Sequence, residues 1–516
     1  MSAPLPPQWR EACARDVSGG SSLPDPAPER RLARLLAAFI VAGLVFLVLP
    51  GTLVGVWNLL GISSRRQADA VSAVWIQAHG HAQLFGWVGT FIVGISLYTL
   101  PKFRGAWVRS VPLGWAMLAL WTSAIGGRFF TAVLAGGWRA AFPVSASLEL
   151  LVALLLVWQC SRSGPSHRRG AAWEILIFAG FSGLIATLAW QLALLLRPLP
   201  VPAVPAAEDR LLITGALWLF CFPVVLGYAA RLFPGLLFTP APDHRGAVVT
   251  VAILCVAGVL YAAGAAFAAA ATTTVAVAAG CWSARVFHPA RRRPKVAGVD
   301  PRYPLFARLA FGWLAVSAAS GMAAEAPGML GASRHAFTVG FLATLIFAIG
   351  PRILPSFLNS RELWSPALMR ASLLLLTAGC VLRVTSEPLA YMGVEAAAWK
   401  VLPVSALAEL AAVLIFALNM AGSLARPAPA WFGRRHVNDG MTVYWLVASY
   451  PATRRVLIEN GLATLARTRR IPKSLTIREA AEADGADVHR LVKALGDFFE
   501  ARLARSVRQQ TEPSSR

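Results

Sequence analysis

Two histidines separated by one glycine, His79-Gly80-His81, open the second long apolar run of this chain, which ends near Leu100-Pro101. A third, His335, opens a later run. A shift of 254 positions carries His81-Ala82 onto His335-Ala336, Gly86 onto Gly340, Thr90 onto Thr344 and Leu100-Pro101 onto Leu354-Pro355. Imidazoles inside an apolar helix are costly and need a partner or a task. Neutral imidazole is an axial ligand for haem iron. Two imidazoles at equal depth on facing helices would clamp a haem between them, and the repeat nominates His81 and His335. Two residues apart on a helix is about 200° of rotation, so His79 and His81 face opposite sides. His79 is then left for a second haem, a copper, or a hydrogen bond to a loop. The plainer reading of each histidine is a satisfied hydrogen bond between helices.

Other polar residues recur in the same order. The third and eleventh runs each contain one arginine of interest, Arg128 and Arg383. The fourth contains Pro143-Val144-Ser145-Ala146-Ser147-Leu148-Glu149, and the twelfth contains Pro403-Val404-Ser405-Ala406-Leu407-Ala408-Glu409. Arginine binds carboxylates bidentately, so Arg128 and Arg383 suit haem propionates; ion pairs with Glu149 or Glu409 are the alternative. The two glutamates are candidates for a proton or ion-pair network. His167, His244, His288, His436 and His489 fall in loops or the tail, so the imidazoles for a complete oxygen-reducing haem–copper centre are missing. The six cysteines are scattered with no CxxC pair, which argues against an iron–sulfur or structural zinc site.

The elements that must position these residues are membrane helices. Of 516 residues, 57% are hydrophobic and 14% charged, the composition of a polytopic helical membrane protein. We read about 12 runs of bilayer-spanning length over residues 32–424. Loop charge divides unevenly, with roughly 26 basic residues on the N-terminal side against roughly 7 opposite. The net charge of +23 follows from that bias. Both termini are therefore expected in the cytoplasm, with His79, His81 and His335 near the outer edge of the bilayer. A fainter middle unit ends Arg231-Leu232-Phe233-Pro234, like Arg352-Ile353-Leu354-Pro355, with Thr214 in the place of His81. The expected fold is all-α: three pseudo-repeated four-helix units plus a small soluble helical domain.

Outside the membrane part, residues 1–31 are Pro-, Ser- and Gly-rich and lack an apolar signal-peptide core. They read as a disordered cytoplasmic tail. A linker over 425–439 leads to a small helical cytoplasmic module over 440–507, followed by a disordered tail over 508–516. Thr476 and Glu479 have capping-box spacing. Residues Thr476 to Leu495 fit a helix-turn-helix only loosely, and no nucleic-acid partner is expected.

His-x-His-x-x-Leu-Phe-Gly from His79, the Arg-x-x-Pro closing the sixth run, and His335-Ala336-Phe337-Thr338-Val339-Gly340 resemble the NnrS family. The His79-Gly80-His81 segment also looks like a haem-ligand helix of haem–copper oxidase subunit I. The first resemblance implies a 12-span inner-membrane protein holding haem and copper, tied to nitric oxide metabolism and nitrosative stress. It carries haem or metal binding onto His79, His81 and His335, with b-type haem, copper as a second metal, and nitric oxide or an electron donor as partners. The Gly-His pair with which that family tends to end the tenth run is here Leu354-Pro355-Ser356. The tail resembles a small helical domain of unknown function found beside redox proteins, often with a Cys after the Gly, where this chain has Gly461-Leu462. Two rival functions remain: a transporter using a buried His/Arg/Glu cluster, and a nitric oxide reductase-like enzyme.

Overall fold

The computed structural model describes residues 6–9, 27–164, 170–292, 294, 298–357, 363–425, 437–450, 452–468, 471–472 and 475–511. His167, His436, Cys13, most of the expected N-terminal tail and most of the linker lie outside them. Among the described residues every element is helical except for an isolated bridge between Thr442 and Thr476. The chain divides into two compact units. The larger, from Arg31 to Leu358 and Glu362 to Arg426, holds the long apolar helices.

Eleven described helices are long and apolar enough to cross a membrane. They are α1 (Arg31–Arg65), α2 (Ala73–Phe103), α3 (Val111–Val133), α4 (Trp138–Cys160), α5 (Ala172–Leu195), α6 (Ala206–Leu236), α7 (His244–Ala262), α8 (Ala266–Ser283), α10 (Met329–Leu354), α11 (Pro366–Tyr391) and α12 (Ala398–Ala425). The remaining expected span is the helix α9 (Tyr303–Gly321). It is as long as α7 but less apolar, because Arg308, Trp313, Ser317 and Ser320 interrupt it. The chain turns between α7 and α8 at Gly264, whose φ of +77° suits the tight turn.

Three helices form the centre. The most apolar window of α2 is 94% buried, that of α10 78% and that of α6 61%, above every other span. They meet pairwise. Ser96 and Thr99 of α2 hydrogen-bond the Tyr228 hydroxyl of α6 at 2.9 and 3.1 Å. Tyr98 of α2 donates to the Phe357 carbonyl, just beyond α10, at 3.1 Å. Trp218 of α6 meets Phe337 of α10 edge-on at 4.8 Å. Outside them, α11 runs along α12, and α12 packs on α1, so the end of the unit meets its beginning.

Each inner helix contains a π-helical stretch: Ala82–Gly89 in α2, Ala216–Cys221 in α6 and Ala336–Ala343 in α10. Those in α2 and α10 follow His81 and His335 directly. Such turns hold an extra residue and rotate everything beyond them about the helix axis. The outer helices share a brace. Ser110 and Ser365 cap the N-termini of α3 and α11 by accepting from Leu113 and Leu368. Gln159 of α4 accepts from the Ser110 amide at 3.0 Å and donates to its carbonyl at 2.7 Å. Asn419 of α12 does the same for Ser365, both at 2.9 Å. These pairs satisfy helix-end groups that lipid cannot.

The smaller unit contains α13 (Val443–Ser449), α14 (Thr453–Glu459), α15 (Ala463–Arg467), α16 (Ile477–Asp484) and α17 (Val488–Thr511) around one apolar core. The segment expected as an N-terminal tail contributes fully buried Trp9 to that core. Both halves of the capping box form: Thr476 accepts from the Glu479 amide at 3.2 Å, and Glu479 accepts from the Thr476 amide at 2.9 Å. Thr476→Ala is expected to destabilise this unit by about 1 kcal/mol, whereas Thr476→Ser should be close to neutral. Hydrogen exchange of residues 477–484 in the intact protein measures the difference.

Candidate haem site

The structure sorts the expected residues into two groups. His81, Arg128 and Glu149 belong to one; His79, His335, Arg383 and Glu409 belong to the other.

The first group lies between α2, α3, α4 and α5. His81 Nε2 is 3.1 Å from Glu149 Oε1. Glu149 is fully buried and also accepts from Ser145 Oγ at 2.9 Å and Gln191 Nε2 at 3.0 Å. The buried carboxylate thus has three donors, as its desolvation requires. Arg128 lies within electrostatic range of both His81 and Glu149. Its guanidinium sits 5.2 Å from the Phe142 ring centroid, and its Nη1 finds no acceptor. A cavity of about 10 Å³, room for one water, touches His81, Arg128, Gln77 and Phe142. His81 is therefore occupied through Nε2.

The second group lies between α1, α2, α10, α11 and α12. His79 Nδ1 is 2.9 Å from the Gly51 carbonyl of α1. A carbonyl only accepts, so Nδ1 carries the proton and Nε2 keeps its lone pair. The helices approach closely here because α1 has glycines at 51 and 55. A Cβ on Gly55 would come within 2.5 Å of His79 Cε1, and one on Gly51 within 2.9 Å of the Gln83 amide. His335 repeats the arrangement within its own helix: Nδ1 is 2.9 Å from the Gly331 carbonyl, again leaving Nε2 free. His79 and His335 lie within electrostatic range of each other, and both lie within range of Arg383.

Arg383 Nε is 3.2 Å from Glu387 Oε2, a carboxylate the sequence reading did not single out. Neither Arg383 Nε nor Nη1 makes a well-aligned hydrogen bond, although the residue is only 7% exposed. Glu387 Oε2 also lies 3.7 Å from His335 Nδ1. A Cβ on Gly331 would fall 2.1 Å from Glu387 Oε1, so glycine is required there for this approach. Glu409 lies within electrostatic range of Arg383 and Glu387, and its Oε1 has no partner. A cavity of about 400 Å³ borders Glu387, Gly331, Tyr391, Trp399 and Arg66. Glu387 stands four residues after Arg383 in one apolar run; that i,i+4 spacing was the available signal for it.

The repeat pairs His81 with His335, but the hydrogen bonding gives these two rings different states. His335 shares its state with His79. The two glutamates named as network candidates stand apart, Glu149 beside His81 and Arg128 and Glu409 beside Arg383 and Glu387. Among the described residues, no group of three or more His, Cys, Asp or Glu side chains converges as a metal site. Two imidazoles within electrostatic range of each other, each with Nδ1 on a carbonyl and no Nε2 hydrogen bond among the described residues, are a donor set for haem, and a buried arginine whose Nη1 has no acceptor among them suits its carboxylates.

The unit is similar in fold to a solved haem–copper terminal oxidase, described as a "heme-copper terminal oxidase dimer", with a TM-score of 0.56 and 13% sequence identity. That match covers 77% of this chain and 85% of the oxidase chain. No curated protein matches. The family model described as "NnrS protein" matches residues 27–428, which includes every helix carrying the two groups. This multi-pass membrane protein belongs to the NnrS family.

Proposed function

We propose that the protein binds b-type haem, which His79 of α2 and His335 of α10 would hold, and serves nitric oxide metabolism or the response to nitrosative stress. The observation that carries this is the shared state of the two rings, each with Nδ1 tied to a backbone carbonyl and Nε2 left free. Such a second-shell bond sets the tautomer and the ring orientation that ligation needs. Arg383 would hold a haem carboxylate. When bound, haem would supply one-electron chemistry, and it would take nitric oxide only where one of the two imidazoles gives way. The protein's own part is to orient the imidazoles from two helices, neutralise carboxylates through Arg383, and keep His81 bound to Glu149. The nitric oxide role rests on the family. Copper is assigned no ligands, because no three-donor group converges among the described residues.

The loop charges support cytoplasmic termini, and an inner membrane of bacterial type rests on the family. The test is the absorption spectrum of the purified, detergent-solubilised protein. A Soret band with low-spin b-type character, altered by nitric oxide on the reduced form, is the expected result. Colourless protein after expression with ample haem supply would overturn the proposal and favour the transporter.

A further inference from the structure

We infer that the C-terminal helical module is a receptor for an aromatic-anchored peptide, and that the chain's own N-terminal segment occupies it through Trp9. The rest of the described core comes from residues 437–499, including Val443, Leu446, Leu457, Ile477 and Leu491. Trp9 enters that core from more than four hundred residues away in the chain and is fully buried. Its described neighbours contribute little: Pro7 is exposed, and Pro6 and Gln8 are only half-buried. A single large side chain filling a pocket, more deeply buried than the described residues before it, is how a short peptide is held by one hot spot. The prolines at positions 4, 6 and 7 reduce the freedom such a peptide loses on binding. Trp9 Nε1 finds no acceptor among the described residues, which bury the ring and give its polar edge no partner. An apolar ring without an N–H should therefore also fit, and the segment should be displaceable.

The test uses the full chain with a protease site replacing residues 18–22, cut after purification. The N-terminal fragment should stay bound on gel filtration at micromolar protein. An excess of synthetic peptide spanning residues 1–16 should displace it. The same peptide with Trp9→Ala should compete at least about 30-fold more weakly, and one with Trp9→Phe should retain most of its strength. Because the competition varies only the peptide, a misfolded protein variant cannot imitate the result. Immediate loss of the wild-type fragment on cleavage, or equal competition by wild-type and Trp9→Ala peptides, would overturn the inference.

Discussion

His79→Ala and His335→Ala are each expected to empty the haem site, while His81→Ala should retain most of the cofactor. The sequence repeat predicts a different outcome, the loss of haem in His81→Ala. The structural argument rests on which ring nitrogen is free. His81 spends Nε2 on Glu149 at 3.1 Å, and Glu149 is fully buried. Recruiting His81 to iron would strip one donor from that carboxylate, at a cost of about 1–3 kcal/mol or more for a charged group. His79 and His335 make no such sacrifice, because their Nδ1 atoms bond carbonyls that can only accept. The measurement is the haem-to-protein ratio, with the low-spin signal by electron paramagnetic resonance. Loss of either imidazole that would hold the haem should weaken its affinity by far more than the ten- to hundredfold typical of a supporting residue. The haem affinity of His81→Ala should stay within about tenfold of wild type, so that most sites stay filled when haem is in excess. Retention in His79→Ala, with loss in His81→Ala, would return the assignment to the pair drawn from the repeat.

Gly183→Ala is expected to be the most disruptive single-methyl change in the membrane unit. A Cβ at this position of α5 would lie 1.9 Å from the Leu219 carbonyl oxygen of α6 and 2.4 Å from its carbon. The obstacle is backbone, so no side-chain rotation relieves it and the helices must separate. Gly180 faces α6 in the same way, 2.4 Å from Val224 Cγ2 and 2.9 Å from the Phe220 carbonyl. Small residues that let backbones approach are the usual basis of helix association in lipid. Overpacking typically costs about 1–3 kcal/mol, and backbone displacement should place this variant at or above the upper end. Since α6 touches α10 through Trp218 and Phe337, the shift should also reach the helix carrying His335. Gly312→Ala is the control, because a Cβ there meets nothing within 4 Å. It should be neutral or gain up to about 1 kcal/mol from helix propensity. Apparent Tm in detergent separates the two variants; a Gly183→Ala protein as stable as wild type would refute the close-approach argument.

The capping box of the small module was readable from Thr476 and Glu479 alone, because it is a local device completed within one turn. The membrane helices were readable for a similar reason, since a bilayer demands long apolar runs that tolerate few polar residues. The ninth helix illustrates the limit. Its apolar run is diluted by Arg308 and polar neighbours, yet it packs on the inner helix α10. Trp9 was not legible as a core residue, because nothing local in a Pro-rich segment points to a partner hundreds of residues away. Glu387 was passed over because its role depends on the ring of His335 on another helix.

The sequence by itself determined the membrane class and the recurrence of histidine, arginine and glutamate in the same order along α2–α4 and α10–α12. Only the tertiary structure decided which imidazoles share a state. A linear repeat aligns residues by position along the helix, but the direction a side chain points depends on rotation about the helix axis. His79 and His81 differ by about 200° in that rotation. The partner on each side then settles the chemistry: the Gly51 carbonyl of α1 for one ring and the Glu149 carboxylate of α4 for the other.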